Sequence, residues 1–411
     1  MSKLSPFPGL VVKPEWVEKV TTGPYDSYSP KQRAEIISEN PLSFLNVTRS
    51  SEDLPEGQSN DIEKLLLECK KSMELLYEND VYQFFDTPSL FIYKIEIPFN
   101  GTSHSQTGIV GLVPVEGNEN LQILRHEKVR PERSKLMSRH LVAVGASSSP
   151  ISLTYRNDES LEKMINKCTL NEPVLLTENE KMKQTIWRVS GEDVEELSAL
   201  VEEKVLYITD GHHRMAAAEE ALKNSVENYA PLRWTQAVLF PDNEMLVLPF
   251  HRRVGDPKGR SSEELLKAIN SVCKITRVEQ EVTPRHTREI GVFLNNEWYL
   301  LTLPESRGSG LVDQLDVSIL QNEILGPIFE VENPGTHELI DYVPGPLGID
   351  VVKERCQLDS WVGFILHPLT IGDLMTVAEA GELMPPKSSY LMPKPRSGVF
   401  VRNLERELNN Y

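Results

Sequence analysis

The run Asp210-Gly211-His212-His213-Arg214 gathers the residue types best able to do chemistry in this chain. It follows the apolar stretch Val205 to Ile208 and precedes the Ala-rich stretch Met215 to Leu222. That order predicts a strand, a tight turn and a helix. Asp210 suits the N-cap of the helix, and Gly211 suits a close approach of backbone. A helix start offers backbone N–H groups and the positive end of the helix dipole. With two imidazoles and a guanidinium on the same turn, the expected ligand is an anion, phosphate or carboxylate. Three cationic or near-cationic groups oppose one another there unless an anion joins them. The alternative is a polar turn that only links two elements.

Other candidates are more weakly marked. His126-Glu127 precedes a helix carrying Arg130, Arg133 and Arg139. A carboxylate beside a histidine can serve as a general base or a metal ligand, or be a solvated pair. Gly23-Pro24-Tyr25-Asp26 can shape a pocket or hold Mg²⁺ through oxygen, against the favoured reading of an Asx-type turn. Phe250-His251-Arg252-Arg253 adds cations to an anion site or ends a strand. Lys387 and Lys394 are framed by prolines, which fix their positions at little entropic cost; the alternative is a tail that clamps a domain junction.

The elements that must position these residues form an α+β pattern with a mostly non-parallel sheet. Ser29-Pro30 opens a short helix towards Ser38. Residues 51–60 are polar, and Ile62 to Tyr77 repeats apolar residues at helical spacing. Leu90–Ile97 and Thr107–Val113 pair as a hairpin around Asn100-Gly101. A second hairpin is expected across Pro241-Asp242-Asn243 and a third through Asn295-Asn296. A domain boundary is placed near Gly255–Ser262. Beyond it come a helix over 262–270, a helix from Leu315 to Phe329, a buried strand over 361–366 and a helix start at Thr370 with capping-box spacing. The Pro-rich tail from Met384 is extended and basic.

The chain has 411 residues, 43 Lys and Arg against 61 Asp and Glu, and a formal charge of −18. Such acidity argues against a broad nucleic-acid or anionic-membrane surface, but leaves room for a small basic pocket. The four cysteines, Cys69, Cys168, Cys273 and Cys356, show no metal or redox spacing and suit a reducing compartment. No signal-peptide pattern or membrane span is visible, so a cytoplasmic protein is expected. Walker, Rossmann, nucleophile-elbow and H-E-x-x-H motifs are all missing.

Seven segments, in this order, resemble domain-of-unknown-function family 1015. They are Pro6-Phe7-Pro8-Gly9-Leu10, Gly23-Pro24-Tyr25-Asp26, Asn40-Pro41-Leu42-Ser43-Phe44, His126-Glu127, Asp210 to Arg214, Leu315 to Leu320 and Met384-Pro385-Pro386-Lys387-Ser388. The family is similar to the ParB/sulfiredoxin-like fold, which also hosts free-serine kinases. The resemblance implies a segment over 1–80 packed on a ParB/sulfiredoxin-like phosphate-binding core over 81–255, followed by a C-terminal α+β domain over 256–411. It implies that Asp210 to Arg214 cradle the transferred phosphate and that Glu127 is the base; Gly211, His212, His213 and Arg214, joined by Lys387, are the expected phosphate ligands, and Asp210 and His213 are expected to act in catalysis with Glu127. From the residues themselves, Tyr25, Asp26, His126 and Arg252 are expected to line the substrate pocket, and Asp210, or Asp26, to hold Mg²⁺. Val129 stands where the family usually has Thr, and Gly23 where Pro is usual.

The implied activity is phosphoryl transfer from ATP or ADP to a hydroxyl metabolite such as free serine. A phosphohydrolase or a nucleotide-sensing regulatory protein are the alternatives. The expected partners are a nucleotide and a small-molecule substrate, with neither nucleic acid nor membrane; a homo-oligomer is compatible with the sequence.

Overall fold

The computed structural model describes residues 4–53, 61–115, 123–147, 149–225, 230–335 and 337–408, without the side chains of Asp26, Glu52 and Leu408. Most of the polar stretch 51–60 therefore lies outside the described residues. The chain divides into two compact units. The first holds Met1–Leu124, Val129–Met245 and Pro393–Tyr411, and the second holds Arg125–Lys128 and Leu246–Met392. The Gly-rich stretch near 255–262 falls inside the second unit, and the end of the Pro-rich tail returns to the first.

Among the described residues, the first unit is built on an eight-stranded mixed sheet. Its spatial order is Ile123–Leu124, Leu206–Asp210, Ile151–Tyr155, Trp234–Pro241, Thr102–Pro114, Leu90–Phe99, Lys183–Val189 and Leu175–Glu178. Two neighbouring pairs run parallel, Ile123–Leu124 with Leu206–Asp210 and Ile151–Tyr155 with Trp234–Pro241. The central hairpin turns at Asn100-Gly101, both with positive φ, as a two-residue loop between right-twisted strands requires.

Strand alternation sends Ile92, Ile109, Leu153, Leu239 and Ile208 into one apolar core. Leu161, Met164 and Ile165 of helix Glu159–Cys168 and Leu197 and Val201 of helix Glu192–Glu202 close that core. On the other face, Phe91 and Tyr93 meet Phe400 at 5.6 and 5.3 Å between ring centroids. Phe400–Arg402 pairs with Gly9–Val12, which pairs with Tyr82–Phe84. The chain's first strand and its last thus share a small sheet.

The hairpin expected across Pro241-Asp242-Asn243 does not form. Trp234–Pro241 belongs to the sheet of the first unit, and Leu246–Val254 to that of the second. A 3₁₀ turn, Asp242–Glu244, is held sideways instead. Glu244 Oε2 accepts from the Thr107 amide at 2.5 Å, and Asp242 Oδ1 accepts from the Asn157 amide at 2.8 Å. These carboxylates tie the turn to neighbouring segments, so the chain does not fold back on itself.

The second unit carries an antiparallel sheet in which Leu246–Val254 pairs with Ile340–Pro344, Val362–Leu366 and Ser389–Met392. Glu289–Leu294 and Glu297–Thr302 form the hairpin expected at Asn295-Asn296. The segment 316–329 is helical throughout, with a π-helical middle at Leu320–Leu325. Thr370 and Asp373 form the capping box of helix Ile371–Glu379. The mixture of helices with mixed and antiparallel sheets is the α+β class read from the sequence. No helix among the described residues is long and apolar enough to cross a membrane. All four cysteines are free and buried.

Candidate functional site

In the first unit, strand Leu206–Asp210 delivers the chemical run to the start of helix His212–Lys223. Gly211 makes the turn alone, at φ +100°. A Cβ there would lie 2.9 Å from Ile151 Cγ2 and 3.0 Å from Arg214 Nε, in a backbone conformation that L side chains rarely adopt. Asp210 is expected as the N-cap; the N-cap is Gly211, which has no side chain to cap the helix. Because the left-handed residue turns the chain in one step, Asp210 remains the last strand residue and directs its carboxylate to other partners.

Those partners are two cations. Arg214 Nη2 donates to Asp210 Oδ2, and Lys394 Nζ donates to Asp210 Oδ1 at 2.6 Å. Arg214 Nη1 also donates to the Pro150 carbonyl at 2.6 Å, which fixes the guanidinium plane. Burial favours the neutral acid at Asp210, but Lys394 and Arg214, with His212, hold its carboxyl well below the usual carboxylate range. His212 is buried, and His213 Nδ1 lies 3.5 Å from Ser134 Oγ on helix Pro131–Val144. The repulsion expected among the cationic groups is therefore answered within the chain by a carboxylate.

Lys394, marked in the sequence only by its frame of prolines, reaches this turn. Its segment is anchored on several sides. Arg396 Nη2 donates to the Thr21 carbonyl at 3.0 Å, and Thr22 and Ser397 exchange backbone hydrogen bonds at 2.9 and 3.1 Å. Ser397 Oγ lies 2.9 Å from Ser149 Oγ, and the Arg396 backbone hydrogen-bonds the Tyr93 hydroxyl.

The residues of this turn do not fit a protein-held Mg²⁺. Each oxygen of Asp210 already accepts from a cation, which would repel a metal ion. Among the described residues, no group of three His, Cys, Asp or Glu is arranged to hold one. Tyr25 belongs to a separate network in the same unit: its hydroxyl donates to Asp53 Oδ2 at 2.8 Å and lies 2.6 Å from Ser50 Oγ. Arg33 covers its ring at 4.0 Å and donates to Asp53 Oδ1 at 2.7 Å. Burial raises the Tyr25 phenol pKa above its usual range. Asp26 lies in the short turn Tyr25–Ser27, with its side chain outside the described residues.

The remaining candidates lie in the second unit. The Met384 amide donates to the His126 carbonyl at 2.8 Å, and Glu127 forms a parallel bridge with Met384. Two motifs far apart in sequence, His-Glu and Met-Pro-Pro-Lys-Ser, are thus neighbours. His126 is buried, and burial lowers its pKa to about 4; Glu127 is exposed. Arg252 is 4% exposed, and its guanidinium donates to the Phe250 carbonyl and to the Lys387 carbonyl, the latter at 3.0 Å. It also lies over the Tyr342 ring at 5.3 Å. Lys387 has a left-handed φ of 58°, and its ammonium lies over the Phe250 ring at 5.1 Å. Backbone carbonyls and aromatic rings engage Arg252 and Lys387, while the adjacent Arg253 pairs with Asp341 and Asp359.

Several solved structures are similar to this chain. A free serine kinase in complex with AMP is 14% identical, with a TM-score of 0.36, over 69% of this chain and 87% of its own. A conserved hypothetical protein from Pyrococcus furiosus is 13% identical, with a TM-score of 0.36, over 72% and 97%. C-terminally truncated SbnI from Staphylococcus aureus is 12% identical, with a TM-score of 0.35, over 69% and 82%. No curated protein matches the chain. The family model for DUF1015, described as a protein of unknown function, matches residues 4–318, most of the chain, and the protein therefore belongs to the DUF1015 family.

Proposed function

We propose that the protein is a small-molecule kinase that holds nucleotide phosphates at the Asp210–Arg214 turn and passes a phosphoryl group to a hydroxyl metabolite. One observation carries this reading: two cations, Arg214 and Lys394, converge at a helix start opened by a left-handed glycine. Phosphoryl transfer asks for positioning and charge neutralisation more than for covalent chemistry. Helix N–H groups, a guanidinium and an ammonium supply both. The net charge of −18 is no obstacle. Screening confines its field to about 8 Å at physiological ionic strength, so the local cations decide what binds.

In the proposed step, the acceptor oxygen bonds to the terminal phosphorus of ATP or ADP. The bond from that phosphorus to the bridging oxygen breaks, and the shortened nucleotide leaves. The acceptor's proton passes to a base, which the motif resemblance assigns to Glu127. Free serine is the first acceptor to try on the same ground. Any Mg²⁺ arrives with the nucleotide as part of the substrate. A ParB/sulfiredoxin-like description of the first unit belongs to the same proposal.

Phosphorus NMR of the protein with Mg²⁺, ATP or ADP, and a panel of hydroxyl metabolites led by L-serine tests the proposal. A new phosphomonoester signal that depends on one acceptor is the expected result. Inorganic phosphate as the only product would make the protein a hydrolase. An unchanged donor with nucleotide bound would make it a sensor, and either result overturns the kinase reading. Glu127→Gln is expected to lower turnover by about 100-fold with donor affinity unchanged; equal activity would remove Glu127 from the step.

A further inference from the structure

We propose that Lys394 is a phosphate-contacting residue of the turn and that Asp210 is its resident counter-anion, holding the ammonium in place until a phosphate takes it over. This rests on the reading of the turn as a phosphate site.

Three observations support it. Lys394 and Arg214 occupy the two oxygens of one carboxylate, so they stand at the spacing of a single small oxyanion. A phosphoryl group offers oxygens in a similar fork, and a cation pair that fits one fits the other. Next, the three side chains keep a path to solvent: Lys394 is 22%, Asp210 24% and Arg214 20% exposed, so a ligand anion can reach them. Finally, the lysine is held in place from outside the ion pair. Pro393 and Pro395 restrict its backbone, and Thr21, Thr22, Ser149 and Tyr93 hold the residues that follow. A side chain whose backbone is already fixed loses little freedom when it changes partner from carboxylate to phosphate.

The competing explanation is a latch, an ion pair that only ties the tail to the turn. The two differ in symmetry. A latch is broken equally from either end. A phosphate contact is not: removing the ammonium removes a ligand, whereas removing the carboxylate's charge removes a competitor.

The test titrates inorganic phosphate and ADP calorimetrically into the wild type, Lys394→Gln and Asp210→Asn at low ionic strength. Lys394→Gln leaves an amide donor on two methylenes in place of four, so it removes the charge while keeping a polar side chain beside Asp210. It is expected to weaken binding of both probes by about tenfold, as loss of a charge-assisted hydrogen bond does. Asp210→Asn is expected to bind both probes at least as tightly as the wild type. Lys394→Arg, which restores the charge, is expected to restore most of the affinity. Wild-type affinity in Lys394→Gln, or equal weakening in Lys394→Gln and Asp210→Asn, overturns the inference and leaves a latch. If the wild type itself binds neither probe, the reading of the turn falls and this inference with it. Thermal melts of each variant separate loss of binding from loss of fold.

Discussion

Two cation sites, one in each unit, hold their cations in opposite ways. At the Asp210 turn of the first unit, Arg214 and Lys394 are paired with a carboxylate that keeps a path to solvent. In the second unit, buried Arg252 is bonded to backbone carbonyls and Lys387 lies over an aromatic ring. A carboxylate partner can be exchanged for another anion, because the geometry and charge of the contact are preserved. A carbonyl partner cannot, because it belongs to the strand or tail that the cation holds together. At these two sites the partner of the cation and its access to solvent, more than the cation itself, separate an exchangeable contact from a structural one.

The largest effect that tests this contrast is expected at Arg252. Arg252→Ala leaves two carbonyls without their donor and removes a buried stem, so it should cost about 3 kcal/mol of stability. Chemical denaturation would read that loss, while phosphate affinity of the folded protein stays unchanged. A large loss of phosphate affinity in folded Arg252→Ala would erase the distinction between the units.

Acid sharpens the comparison further. Burial, with Arg252 beside it, lowers the His251 pKa from 6.5 to about 4. The folded state therefore prefers neutral His251, whereas the unfolded chain accepts a proton near 6.5. Its contribution is fully present above pH 6.5 and declines as pH falls towards 4, by up to about 3 kcal/mol. His126, lowered to about 4 by burial, adds a loss of the same sign. Asp210, held well below the usual range, keeps its charge across that window. Stability measured between pH 7 and 4 should fall, and His251→Gln should flatten the slope; an unchanged slope would contradict the cited cause.

How far the sequence led follows the same division. Local signals were legible: the Asn100-Gly101 and Asn295-Asn296 hairpins, the helix start at Ser29-Pro30, the capping box at Thr370, and the strand–turn–helix order around Gly211 all formed. Each depends on residues only a few positions apart. The hairpin expected at Pro241 failed because Glu244 and Asp242 bind segments distant in sequence. Asp210 is not the N-cap because Gly211 makes the turn alone, and the carboxylate left on the strand end meets the remote Lys394. Between two proline-framed lysines, the sequence favoured Lys387 for phosphate. Nothing in the local pattern told that Lys387 would meet the Phe250 ring and Lys394 a carboxylate.

The smallest expected effect belongs to that overlooked contrast. Lys387→Ala removes an exposed cation–π contact and should cost less than about 1 kcal/mol, with no change in phosphate binding. A marked loss of nucleotide affinity in this variant would return Lys387 to the phosphate site.

The central claim is that the Asp210–Arg214 turn binds the phosphates of a nucleotide, and titration of ATP into the wild type and Arg214→Ala tests it most directly. The account predicts saturable binding to the wild type and an affinity about 30-fold weaker in a folded Arg214→Ala, the equivalent of about 2 kcal/mol for a charge-assisted contact. Equal affinities in the two proteins, or no binding to either, would contradict it.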